Sequence, residues 1–372
     1  MGSPLRVLHV VVNMNRGGAE TLIMNLYRNI DRSKVQFDFL TCKEGIFDSE
    51  IIAMGGKVHR IPYITEIGHK GYIQELNKFF KTNSEYKIIH AHMDKMSGLV
   101  LRSARKANVP IRIAHSHNTK SEGGFVSKLY KWNAGRSIKP NATHRYACSH
   151  AAAKWLYGDG ITNTLILKNG IEPDKFQYTH LAREHIRSEL KIENEALVLG
   201  HVGRFSHQKN HLFLLDIFAS ISNEVPNAVL ILAGDGPLKA KIIEKAERLN
   251  IADKVKLVGV REDINLLLQA FDIFVFPSLH EGLPVTLIEA QGAGLPCVIS
   301  NTITKEVDMK VGLVHYLSIN DQTSWLTTIS NLAQDNKSRT ISKNALSQNG
   351  YDIRKTAVLT ETSYLALGRE VI

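Results

Sequence analysis

Residues 276–296 read FPSLHEGLPVTLIEAQGAGLP, and their pattern decides the fold. The run before them, residues 271–276, is apolar except for Asp272, as expected of a parallel strand buried on both faces. Pro277 and Ser278 stop it, and the helix-forming residues 287–291 follow, so the segment is predicted to be strand, tight loop and helix. Glu281 then falls in the loop and Glu289 near the middle of the helix. One carboxylate faces the mouth of the site, and the other, two turns on, can reach past it. Beside Gly282, the amides of Leu283, Val285 and Thr286 point out of a helix N-terminus, where the macrodipole favours phosphate. A nucleotide diphosphate fits there. Carboxylates accept hydrogen bonds from vicinal hydroxyls, which suits Glu289 to a ribose and Glu281 to a transferred sugar.

Upstream, the apolar run 197–202 leads into GRFSHQKN. Arg204 and Lys209 stand five apart after that strand, where a guanidinium fork and an ammonium can grip a diphosphate from two sides. The strand pattern 229–233 ends in GDGP, whose Gly234 and Gly236 allow a base to approach the backbone, and 255–258 precedes Gly259, Val260 and Arg261. In the first half, strand 5–12 passes through a loop with Gly17 and Gly18 into a helix over 19–30 with apolar Leu22, Ile23, Leu26 and Ile30. The spacing is not GxGxxG, so a dinucleotide fingerprint is absent. Strands are expected at 35–41, 57–61, 87–90, 111–115 and 144–148 with helical patterns between most of them, which argues a parallel sheet covered on both faces. Ligands in such sheets bind at the carboxyl ends of the strands, where His115, His117 and Asn118 fall. His115 and His117 could be metal ligands, but no Cys or acid stands at supporting spacing.

Glu281 and Glu289 within EGLPVTLIEAQGAGLP resemble the E-x7-E motif of the retaining glycosyltransferases of family 4. The resemblance runs from the GGAE loop to the C-terminal helix and is most specific between Gly203 and Pro296. It implies a GT-B fold: two Rossmann-like parallel-sheet α/β domains facing a central cleft, with a last helix crossing back to the first domain. The expected division is 1–175 on the acceptor side, 176–351 for the nucleotide-sugar and 352–372 for the crossover helix, with NGIEPDKF at the junction resembling the family's NGID…F signature. Residue by residue, the resemblance makes Arg204 and Lys209 the donor-diphosphate pair and assigns the 260–261 loop main-chain contacts to the base. It turns the Gly17–Gly18 loop towards diphosphate and acceptor, and places a histidine, either His115 or His117, near the donor sugar. It also implies a nucleotide-sugar, more readily UDP than another, as co-substrate, and no cofactor. In the family the departing phosphate oxygen takes the acceptor proton on the same face of the sugar, so configuration is retained. The sequence has no Asp-x-Asp, and cationic side chains are expected in place of a metal.

Composition agrees. At 372 residues the chain is long enough for two cores. Cys42, Cys148 and Cys297 are scattered, as free thiols in a reducing compartment would be. Without a membrane-length apolar run or a signal pattern, a cytoplasmic protein is expected. The net charge of +10 lies in the first half: residues 1–180 hold 26 basic against 14 acidic side chains. Residues 95–154 hold twelve basic residues and one acid, Glu122, interleaved with Phe125, Leu129, Tyr130 and Trp132. That patch suits the anionic inner face of a membrane, a lipid diphosphate or a solvated helix face. Nucleic acid would satisfy the charge, but no recognisable RNA or DNA motif accompanies it. The wording AHSHN and EGLPVTLIEAQGAGLP is closest to transferases of capsule, exopolysaccharide and lipopolysaccharide synthesis, which implies a saccharide or polyprenyl-diphosphate-linked acceptor. The alternatives are a catalytically silent carbohydrate-binding scaffold of the same fold and a sugar-nucleotide epimerase.

Overall fold

All strand pairings run parallel in the computed structural model, which describes residues 3–121, 123–159, 163–335, 339, 341–342 and 344–370. The chain divides into two units, Met1–Gly170 with Gly350–Ile372, and Ile171–Asn349. The division falls at 170/171, a few residues before the expected 175/176. Glu122 and residues 371–372 of the expected crossover helix lie outside the described residues.

The first unit is built on β1 (Leu5–Val10), β2 (Val35–Thr41), β3 (Val58–Arg60), β4 (Ile88–Ala91), β5 (Ile111–Ser116), β6 (His144–Ala147) and β7 (Thr164–Ile166). They lie in the order β3-β2-β1-β4-β5-β6-β7. Alternation along the strands splits the core in two. Val7, Phe37, Phe39, Ile88 and Ile113 share one face, and Leu8, Leu40, Ile89 and Ala114 share the other. The last helix, Ile353–Arg369, starts on an Asp352 cap that accepts from the Arg354 amide, and lays Ile353, Ala357, Tyr364 and Leu367 into the first of these cores. The expected return of the C-terminal helix to the first domain is therefore present. Only glycine fits at position 170, because a Cβ there would come 2.8 Å from Ile353 Cα.

The second unit carries β8 (Val198–Val202), β9 (Val229–Ala233), β10 (Val255–Gly259), β11 (Ile273–Phe276), β12 (Cys297–Ser300) and β13 (Val314–Leu317) in the order β10-β9-β8-β11-β12-β13. Asp272, the polar residue in the otherwise apolar run before β11, is a junction. Its carboxylate accepts from Arg183 at 2.5 Å, from the fully buried Arg187 at 2.8 Å and from the Val198 amide at 2.7 Å, which ties the helix His180–Glu189 to the start of β8 and β11.

One expected helix differs. Residues 123–139 form two helices, Phe125–Gly135 and Ile138–Asn141, because Gly123 has φ 107 ahead of the first and Pro140 has no N–H for the carbonyl four residues back. Among the described residues no helix is long and apolar enough to cross a membrane. Cys42, Cys148 and Cys297 are buried free thiols, as expected.

Candidate active site

In the second unit the carboxyl ends of β8 and β11 carry the two segments singled out by sequence. β8 continues into Gly203 and Arg204, then a short 3-10 turn, His207–Lys209, ends on Asn210 in the left-handed conformation at φ 56. Three hydrogen bonds staple this turn to the loop after β11: the Leu279 amide donates to Gln208 O at 2.8 Å, Gln208 Nε2 to His280 O at 2.7 Å, and Asn210 Nδ2 to Pro277 O at 3.3 Å. The staple brings Lys209 Nζ within 2.8 Å of Glu281 Oε1 and over the Phe276 ring at 4.6 Å from its centroid. The lysine stem also crosses Gly203, whose missing Cβ would meet Lys209 Cε at 3.2 Å. Gly234, at φ 140, lies so close behind that a Cβ would come 2.1 Å from Gly203 O. The glycines thus let three strand ends converge, as close approach of a ligand requires.

Arg204 is exposed, and its guanidinium makes no ion pair or hydrogen bond among the described residues. It is available for an anion. The helix predicted at 287–291 runs Val285–Gly292, so Glu281 precedes it in the loop and Glu289 sits on its second turn. Leu283 and Val285 are buried, and the Thr286 hydroxyl is buried with no hydrogen-bond partner. The first-turn amides of Val285 and Thr286 donate to no other group among the described residues, which leaves an N-terminal cradle for phosphate. Glu281, beside Gly282, is buried against Lys209. Glu289 is half-buried and desolvation pushes its carboxyl up to about 7.

The 260–261 loop is more constrained. Val260 is 57% exposed, while the Arg261 guanidinium is held by Asp263 at 2.8 and 2.5 Å and by Glu189 at 2.8 Å. The Arg261 side chain is thus tied down within the unit, while Val260 stays exposed.

In the first unit Gly17 caps the helix Gly18–Asn29. The side chain of Glu20 curls back so that Oε2 would stand 2.2 Å from a Cβ on Gly17, and burial pushes its carboxyl up to about 7. That carboxyl, which the sequence reading passed over, already shares the helix N-terminus with whatever meets the glycine loop. His115 and His117 are brought together, their rings stacked at 4.0 Å between centroids. They do not stand alone. His92 Nδ1 and His117 Nε2 are hydrogen-bonded at 2.8 Å, His9 Nδ1 and His92 Nε2 at 2.9 Å, His90 Nε2 and His115 Nδ1 at 3.1 Å, and Tyr364 Oη joins His90 Nδ1 at 2.6 Å. Burial lowers all five imidazoles far below the usual histidine range, His9 and His117 to about 3. The sequence signal for His90 and His92 was period-two spacing at a strand end, HAH like HSH, which aims each pair at one face, and His9 carried no such signal.

Known proteins resemble this chain over nearly its whole length. Residues 182–345 match the model of glycosyl transferases group 1, and residues 16–175 that of glycosyltransferase family 4. EpsF of Bacillus subtilis (strain 168), named as a glycosyltransferase, is 41% identical over 362 residues, covering 95% of this chain and 94% of its own. The UDP-Gal:alpha-D-GlcNAc-diphosphoundecaprenol alpha-1,3-galactosyltransferase of Escherichia coli is 28% identical over 372 residues, 95% of each chain. The crystal structure of Anabaena Alr3699/HepE with UDP and glucose superposes at a TM-score of 0.81, with 20% identity over 97% of this chain and all of that one. The chain therefore belongs to the family 4 glycosyltransferases, and its two parallel-sheet domains have the GT-B fold.

Proposed function

We propose that this glycosyltransferase moves a hexose or N-acetylhexosamine from a UDP-sugar, with retention of configuration, to a saccharide or polyprenyl-diphosphate-linked saccharide in the building of a bacterial surface polysaccharide. The observation that carries the reading is the Lys209–Glu281 pair at 2.8 Å beside the unpaired Arg204 and the helix N-terminus of Val285–Gly292. Charge builds on the diphosphate as the sugar leaves, and preorganised cations and amides stabilise that charge without reorganisation. Arg204 and Lys209 hold the diphosphate in place of a metal, Glu289 accepts the ribose hydroxyls, Glu281 orients the sugar, and the family resemblance gives His115 or His117 as the histidine that serves the donor sugar. The bond from the anomeric carbon to the β-phosphate oxygen breaks, the bond to the acceptor oxygen forms on the same face, and the released phosphate oxygen takes the acceptor proton.

The choice of UDP and of a lipid diphosphate acceptor is supported by the Escherichia coli relative, whose name specifies both. The chain's own surface supports the acceptor. A cavity of about 420 Å³ in the first unit is lined by Lys95, Arg136, Lys139 and Arg145 with Trp132 and Trp155, a lining suited to an anionic head group. Phe125, Val126, Leu129 and Trp132 are exposed on the adjoining helix, which favours peripheral contact of a cytoplasmic protein with the inner membrane face.

Calorimetry with UDP-, GDP- and ADP-sugars, beside Glu289→Ala, tests the donor site, and NMR of the product tests the anomer. Tight binding of one UDP-sugar that the variant loses is expected. Binding of none by the folded protein would favour a silent scaffold, and an inverted product would refute retention.

A further inference from the structure

The five-histidine cluster of the first unit is more than the donor site uses. β1 pairs with β4 so that His9 and His90 are direct neighbours, and β4 pairs with β5 so that the ends carrying His92 and His117 advance together. One ring nitrogen from each of His92, His115 and His117 lies within 4.8 Å of one from each of the others. His115 is fully buried, and its Nε2 has no hydrogen-bond partner; the buried His117 Nδ1 and His9 Nε2 have none either. An unpartnered buried polar nitrogen costs on the order of 1–3 kcal/mol, so the one on His115, beside two further imidazoles, requires an explanation.

We propose that His92, His115 and His117 bind one divalent transition-metal ion of the kind that prefers imidazole, Zn²⁺ by its chemistry, with a fourth position left open. Two ligands on a tetrahedral ion at about 2.0–2.1 Å stand about 3.3–3.4 Å apart, so the 2.8 Å between His92 Nδ1 and His117 Nε2 has only to widen by about half an ångström. A ligating imidazole needs a partner for its other nitrogen, and two of these partners are already built. His92 Nε2 is held by His9 at 2.9 Å and His115 Nδ1 by His90 at 3.1 Å, while His90 is itself fixed by Tyr364. His92 and His117 are only half-buried, which provides an entry path. The sequence expectation of no metal rested on ligand spacing along the chain, whereas these ligands converge from adjacent strands. The ion would sit at the carboxyl ends of β4 and β5 on residues of the first unit alone, so the inference stands whichever donor is used.

The test uses the full chain made without a histidine tag, stripped with EDTA and dialysed against Zn²⁺ or Co²⁺. One ion per chain is expected, with a rise in melting temperature on Zn²⁺ and the visible absorption bands of a four-coordinate Co²⁺ ion. His117→Gln and His92→Gln, at half-buried positions that tolerate the change, should lose the ion and the bands. His90→Gln, which loosens a ligand indirectly, should weaken binding by about 10- to 100-fold. His180→Ala, on the surface, should alter nothing. Binding well below one ion per chain, or full binding retained by a folded His92→Gln/His117→Gln double variant, would overturn the assignment.

Discussion

Lys209 Nζ donates to Glu281 Oε1 at 2.8 Å, joining the turn after β8 to the loop after β11. Both side chains are largely withdrawn from water, so the pair differs from an exposed surface bridge, which is commonly worth only about 0–1 kcal/mol. Lys209→Ala should lower kcat/KM by about 10²- to 10³-fold, on the order of 3–4 kcal/mol, with Arg204→Ala in the same range. Glu281→Gln and Lys209→Ala together should cost less than the sum of the two, because they share one contact. Steady-state kinetics on the singles and the double would check this. Loss of melting temperature with unchanged kcat/KM would show the pair to be structural only.

Glu289 sets a pH dependence. Its carboxyl rises from 4.5 to about 7 because burial penalises the charge. Between those values the folded state binds more protons than the unfolded one, so stability falls as pH rises through that window and the penalty is complete above 7. The full difference corresponds to an upper value of about 3 kcal/mol. Glu289→Gln should therefore stabilise the protein in denaturant melts at pH 8 and much less at pH 5. Donor affinity should move the opposite way in the natural protein, weakening as pH drops below 7 and the carboxylate that accepts the ribose hydroxyls is lost. A donor KM flat from pH 6 to 8 would remove Glu289 from the site.

How much of this was legible in the chain depended on whether the signal was local. Strand, loop and helix around Glu281 and Glu289 were readable because apolar runs, Pro277 and helix formers stand in sequence order. The return of residues 353–369 to the first sheet was expected from family resemblance, since the apolar stripe of Ile353, Ala357, Tyr364 and Leu367 does not say which core it enters. Asp272 read as a blemish in a buried strand, and only the folded chain shows Arg183 and Arg187 waiting for it. The histidine cluster was half legible. His115 and His117 stood out at one strand end, but joining them to His9, His90 and His92 required the order β1-β4-β5, which periodicity does not contain.

Asp272 makes a stability prediction distinct from the active site. Arg187 is fully buried, and its guanidinium also donates to the carbonyls of Ala270, Glu193, Asn194 and Ala196. Removing one partner of a buried pair leaves the other charge uncompensated, which typically costs about 3–5 kcal/mol. Asp272→Ala should destabilise by that order in urea melts, while the exposed pair of Lys154 and Asp159 should be nearly neutral to Asp159→Ala. Equal small effects would mean that the four carbonyl contacts suffice for Arg187.

The helix Phe125–Gly135 buries Ala134 alone among its residues and leaves Phe125 at 82%, Val126 at 80%, Leu129 at 56% and Trp132 at 52% exposure. Helices in soluble proteins bury an apolar stripe, so this one requires an apolar surface from elsewhere. With Lys128, Lys131 and Arg136 in the same stretch, an anionic bilayer supplies both halves of what is missing, at about 1 kcal/mol for each basic residue near the surface. In flotation with vesicles rich in anionic lipid, the protein should rise with the lipid at low salt. Leu129→Ser with Trp132→Ser should abolish flotation even at low salt, because the charges alone hold weakly. Raising the salt should weaken the natural protein's binding without abolishing it, since screening acts on the lysines and not on the buried rings. A protein that stays in the soluble fraction on anionic vesicles at low salt would assign the exposed side chains to a protein partner instead.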